Sequence, residues 1–164
     1  MNDSRRLKAS DLHDAAREFL DGELSKYGFR PAGGYTEGSR ASHLYRGGDR
    51  FLIFRLDDQG SGEGGVELGL AADDAPISGE HSMSLSELTQ LKGLGIPRFV
   101  LGNAWEFAEC ALEFLGWYSQ EFLEGDVRSF VHDHIEVVKH RQNQEFQGFT
   151  VAWPTCQLAS ESPL

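Results

Sequence analysis

From about residue 11 to residue 27 apolar positions recur every three or four residues: Leu12, Ala16, Phe19, Leu20, Leu24 and Tyr27. That period predicts an amphipathic helix, with Ser10 as its N-terminal cap and Gly28 where a helix end wants positive φ. Pro31 and the pair Gly33-Gly34 then break the chain. The pattern next shortens to strand length. His43 to Arg46 is a short strand candidate, Gly47-Gly48-Asp49 a turn, and Phe51 to Leu56 the strongest strand, with apolar residues on both faces. Val66, Leu68 and Leu70 alternate with Glu67 and Gly69, as in a strand with one buried face. The glycine-rich segment 57–65 joins these two strands as a hairpin loop.

The helical period returns after a polar connection over 71–83. Ser84 and Glu87 form a capping box opening a short helix to about Lys92, and 97–101 reads as a strand. Asn103 and Glu106 make a second capping box, opening the longest helix, with Ala104, Ala108, Ala111, Leu115, Tyr118 and Phe122 on its core stripe. Gly125-Asp126 ends it. Val127, Phe130, Val131, Ile135 and Val138 form the expected buried face of one more helix, and 149–153 alternates like a returning strand. The expectation is a single α+β domain over 1–153. It has an N-terminal helix, an antiparallel β-meander, and helices of the C-terminal half packed on one face of the sheet; 154–164 is a flexible tail.

Charge changes this picture more than composition does. The chain of 164 residues is 40% hydrophobic and 11% aromatic, enough for a core, and its formal net charge is −11. Between Leu56 and Val127 only Lys92 and Arg98 are basic, against 14 acidic residues, so this span holds essentially all the net charge. Such a balance argues against nucleic acid, whose binders neutralise phosphates with Lys and Arg, and against anionic membrane surfaces. Solubility is one reading of the charge. The other is a negative face for a basic protein partner, with Asp57, Asp58, Glu63, Glu67, Asp73, Asp74, Glu106, Glu109 and Glu113 as its contact residues. On that reading the hairpin and the outer face of the long helix form one negative surface.

Chemistry-bearing constellations are few. His132, Glu136 and His140 share a helix face, but positions eight apart lie about 12 Å from each other along the axis, too far for one ion. A solvated mixed-charge face is the better reading, and no metal or other cofactor is expected. Glu106, Glu109 and Glu113 read as a contact stripe rather than acid–base catalysts. No Gly-x-Ser-x-Gly elbow is present, and Cys110 sits between acids that oppose a thiolate. No catalytic residue is assigned, and a non-enzyme is expected. Trp105 and Trp117 are large for one narrow stripe, so at least one is expected at the surface as an interface anchor. No apolar run follows Met1 to Lys8, and none approaches about 18 residues. With no C-x-x-C motif and Cys110 read as a small core residue, these features point to a reducing, cytoplasmic setting.

The order of elements from Leu12 to about Asp74 resembles a group of small bacterial α+β proteins. The matching features are a helix ending in Tyr27-Gly28-Phe29, a central strand Phe51 to Leu56, and a paired strand ending in Leu68-Gly69. Many members of that group are immunity proteins of polymorphic-toxin systems. The resemblance implies a small, acidic, cytoplasmic, non-enzymatic protein that neutralises a basic toxin by covering it, with no catalytic residues to carry across. The element order is also similar to that of the acidic dimeric chaperones of type III secretion. A third alternative is a small-molecule-binding or enzymatic domain with a pocket between sheet and helices.

Overall fold

The computed structural model describes residues 7–59, 62–72, 75–95, 99–100, 102–143 and 155–156. The expected α+β architecture is present. A helical run α1 (9–25) leads into strands β1 (Arg30–Glu37), β2 (Arg40–Gly47), β3 (Arg50–Asp57) and β4 (Glu63–Leu70). After a polar connection come β5 (Ser82–Ser84) and α2 (Leu85–Leu91). A two-residue strand β6 (Phe99–Val100), the long helix α3 (Ala104–Leu123), α4 (Arg128–Gln142) and β7 (Thr155–Cys156) complete the order. Strands β1 to β5 form one antiparallel sheet in sequence order, and β6 pairs with β7.

Strand register sorts the side chains. Tyr45 faces Leu52, Leu52 faces Leu68, and Leu68 faces Met83, so these four lie on one side of the sheet. All four are at most 1% exposed. With Ala41, Phe54, Leu56 and Val66 they meet the buried stripes of the helices: Leu12, Leu20 and Leu24 from α1, Leu85 and Leu88 from α2, Phe107, Leu115 and Phe122 from α3, and Phe130 and Val137 from α4. All four helices thus cover one face. Gly64 makes the closest seat possible, since a Cβ there would lie 2.6 Å from the Phe107 ring. On the other face Phe51 is fully buried although it lies outside the main core. The polar connection wraps it; a side chain at Gly69 would meet Phe51 and, at 2.7 Å, the carbonyl of His81.

The differences from the sequence-based expectation have local causes. Pro31 and Gly33-Gly34 do not break the chain into a loop. They lie in β1, a fully exposed edge strand whose register shifts between Pro31 and Gly33. An edge tolerates a residue without an N–H, and a bulge absorbs the glycines. Ser10 does not cap α1, which begins at Ala9; the Ala9 N–H instead donates to Asp58 at 2.7 Å. The polar connection contains the short strand β5, paired to β4 over three residues. Within the expected tail, Thr155–Cys156 is a strand, whereas the strand expected over 149–153 lies outside the described residues.

Several long-range bonds fix the helices. Arg50 donates to the Phe122 and Leu123 carbonyls at the end of α3 (2.8 and 2.6 Å) and to the Tyr27 carbonyl after α1 (3.0 Å). One guanidinium thereby satisfies carbonyls left over at two helix ends. Ser84 and Glu87 form the capping box in both directions, each bond 3.0 Å. Arg141 then grips the same Glu87 with two bonds of 2.6 Å and donates to the Ser82 carbonyl, tying the end of α4 to the start of α2.

Candidate functional site

The acids singled out in the sequence divide into two sets. Those of the β3–β4 hairpin are absorbed into the fold. Asp57 accepts from the Ser39 hydroxyl, the Arg40 guanidinium and the Gln59 N–H, at 2.9 to 3.0 Å. Partial burial works against its charged form, but those three donors outweigh it and hold the carboxyl below its ordinary value. Asp58 holds the first N–H of α1. Glu67 is bound by Arg55 and by the Ser82 hydroxyl. Glu63, at the start of β4, is exposed. Asp73 and Asp74 lie outside the described residues.

The acids of the long helix stand differently. Asn103 caps α3, accepting from the Glu106 N–H at 3.0 Å, so the amide half of that expected capping box is present. From there Glu106, Glu109, Glu113, Trp117, Glu121 and Glu124 are all exposed. Glu106, Glu109, Glu113 and Trp117 follow each other at steps of three and four, one outward stripe of the helix, while Glu121 and Glu124 lie beyond a kink at Ser119, whose φ of −142° and ψ of 28° leave the helical region. No Lys or Arg occurs in Ala104–Leu123. Among the described residues, none of the side chains of Glu106, Glu109, Glu113 and Glu124 has an ion-pair or hydrogen-bond partner.

The two sets do not meet as one surface. Gly64 faces Phe107 of α3, so by alternation Glu63 and Glu67, with Asp57 opposite Glu63, point to the other side of the sheet. Asp57, Glu63 and Glu67 therefore border the sheet's uncovered face, Asp58 turns to the first N–H of α1, and the α3 acids border the outside of the helix layer. The expectation of one continuous negative surface is corrected by a period-two strand that turns each neighbouring side chain over. The indoles divide as well. Trp105 reaches across to α1 and donates to Glu18, while Trp117 is 39% exposed beside the glutamates.

Other clusters are structural or polar seams. His132 is exposed and Glu136 pairs with Lys139 at 3.1 Å, the mixed-charge face read from the sequence. Between α1 and the sheet, His13 and His43 approach through their Nδ1 atoms at 3.1 Å, and His13 also bonds Thr36 at 2.7 Å. Burial, followed by the charge of His13, lowers the pKa of His43. Tyr45 donates to Asp21 at 2.7 Å, and burial with that bond pushes its pKa up. Sequence reading missed this seam because its members come from α1, β1 and β2, and nothing local links them. Cys110 packs against the core but is disulfide-bonded rather than a free thiol, so cysteine usage no longer argues for a reducing setting.

The architecture defined by these elements is an antiparallel five-strand meander carrying all its helices on one face. No protein family, curated protein or solved structure matches the chain. Among the described residues, no helix is long and apolar enough to cross a membrane.

Proposed function

We propose that this chain is a non-enzymatic binding protein that engages a basic protein partner through the outward stripe of α3. The observation that carries the reading is the run of exposed glutamates, Glu106, Glu109 and Glu113, on a helix with no basic residue to neutralise them. A solvated acid on a stable surface is ordinarily interspersed with cations. Here the stripe also presents Trp117, the kind of large ring that anchors protein interfaces. Opposite charge on the partner accelerates encounter, and the indole supplies desolvated contact area. Neutralisation of a toxin by covering its basic surface is the particular role the resemblance to immunity proteins favours.

The test begins with recovery of the partner by pull-down with the intact chain, followed by kinetics at about 20 to 500 mM salt. The reading expects a basic partner whose association slows steeply across that range, because charges separated by more than a Debye length of about 8–10 Å become screened. The triple variant Glu106→Gln, Glu109→Gln, Glu113→Gln should associate slowly at every salt concentration. Salt-independent association, or a partner that binds the triple variant as fast as the native chain, overturns it.

A further inference from the structure

Only part of the expected buried face of α4 is buried. Phe130 and Val137 reach the core, whereas Val131 and Ile135 are 43% and 53% exposed. These two stand one turn apart, so they form a single apolar patch on the outside of the helix. Arg128, His132 and Lys139 are exposed around it, and with Ile135 they follow each other at steps of three and four. Arg128 pairs with Asp126 at 2.7 Å and Lys139 with Glu136 at 3.1 Å. Exposed pairs of this kind are weak and screened, so neither cation is committed to its neighbour. An apolar centre inside a polar, basic rim is the anatomy of an interface. Its complement lies on the adjoining helix. A connection of four residues, 124–127, joins α3 to α4, and the Phe122 and Phe130 rings meet across them at 5.2 Å. The outward stripe of α3 carries Glu106, Glu109 and Glu113 beside the exposed ring of Trp117. It sets acids around an aromatic side chain where α4 sets cations around aliphatic ones.

We propose that these two faces form the interface of a homodimer, in which the acidic stripe of α3 in each copy lies on the outer face of α4 in the other. A twofold axis running between the two helices exchanges them, so one rotation makes both contacts at once. Such a contact is closed: two copies satisfy it and a third finds no free face. Trp117 then covers the Val131–Ile135 patch, and the glutamates of α3 face Arg128, His132 and Lys139. The formal net charge of −11 on each copy opposes approach. Association therefore needs locally opposite signs, and the pairing of α3 with α4 supplies them, whereas α3 against α3 does not. The inference rests on the reading of α3 as a contact stripe and gives that stripe a particular basic partner, a second copy of this chain.

The test is sedimentation of the intact chain across about 1 to 100 μM, the range of micromolar dissociation constants. The expected result is a reversible rise from one chain to two. Ile135→Asp should weaken the dimer about tenfold or more, as loss of a central apolar contact does. Two charge reversals then decide the geometry. Glu109→Lys with Glu113→Lys sets cations against α4, and Arg128→Glu with Lys139→Glu sets acids against α3, so neither variant should pair with itself. Their equimolar mixture restores opposite signs at both contacts and should form a heterodimer. Circular dichroism checks that each variant is folded. A native chain that stays monomeric, an Ile135→Asp variant that dimerises like the native chain, or a mixture that does not associate each overturns the assignment. A monomeric chain that still binds a basic protein through α3 removes the dimer and leaves the docking stripe standing. A dimer with reciprocal rescue and no other basic partner supports the dimer and removes the separate partner.

Discussion

The β3–β4 hairpin and the long helix α3 are both rich in acids, and they use them in opposite ways. In the hairpin region Asp57, Asp58 and Glu67 each bind a named donor of the same chain: Arg40, the Ala9 N–H and Arg55, respectively. On α3, Glu106, Glu109 and Glu113 have no partner among the described residues. The same residue type therefore carries structural meaning in one place and is available for recognition in the other. Net charge alone does not distinguish the two, because an exposed acid and a bonded acid count equally in it. The geometry of donors does, and mutation separates the sets by what is lost: folding stability on one side, association on the other.

The largest loss belongs to a further acid of the same span, Glu87, which is committed even more deeply. Glu87 is 5% exposed and serves both the capping box of α2 and the two-bond grip of Arg141. Glu87→Ala leaves the Arg141 guanidinium facing Ser82 without its counter-charge and removes half of the box. Loss of one partner of a fully buried pair costs roughly 3–5 kcal/mol; the Arg141 side chain is 33% exposed, so water takes up part of that and about 2–3 kcal/mol is expected. Urea denaturation should show a loss of unfolding free energy of that size; a variant within about 0.5 kcal/mol of the native chain would mean that the clamp between α4 and α2 is dispensable.

Asp58→Ala should cost less, about 1–2 kcal/mol, which is the ordinary range for a lost helix cap. It leaves the first N–H of α1 without its 2.7 Å acceptor. Amide exchange at Ala9 is the local readout: it should accelerate in this variant while amides of β3 exchange as before. Equal protection at Ala9 in both proteins would place the stabilising contact elsewhere.

Asp57 gives the comparison a pH axis. Its donors hold its folded pKa below the ordinary value of 3.8, so the folded chain keeps this carboxylate charged where the unfolded chain takes up a proton. Stability from this group is complete above about pH 4 and falls as pH drops through that value towards the lower folded pKa. Asp57→Asn should therefore be less stable than the native chain at pH 6, with the gap narrowing by pH 3. A gap that stays constant over the same range would remove the carboxylate's charge from the account.

Much of the architecture was legible because it is written in periods. The helical stripe of residues 104–122, the alternation of Val66, Leu68 and Leu70, and the Ser84–Glu87 box each state their element locally, and each element formed. The edge strand β1 was not legible, because Pro31 and Gly33-Gly34 are breakers except at an edge with a bulge, and being at an edge is a property of the sheet. The stripe of α3 glutamates was readable as a face, since helical spacing fixes it. That the hairpin acids were bonded was not, because Ala9, Arg40 and Ser82 reach them only after the meander and α1 have come together. The kink at Ser119 was masked as well: Gly116 and Ser119 are residues at which helices bend, but the apolar period runs through them without interruption.

The smallest expected change in stability is also the sharpest test of the division. Glu106→Gln, Glu109→Gln and Glu113→Gln remove three charges from positions with no partner among the described residues, on a face that carries only like charge. Each side chain keeps its length and its helix propensity. Folding stability should therefore stay within about 0.5 kcal/mol of the native value, and relief of repulsion between glutamates three and four residues apart works in the stabilising direction. Any effect on partner association then arises at the surface and not through the fold. If urea denaturation instead shows a loss comparable to that of Asp58→Ala, the helix acids are structural after all, and the contrast with the hairpin collapses into a single class of bonded carboxylates.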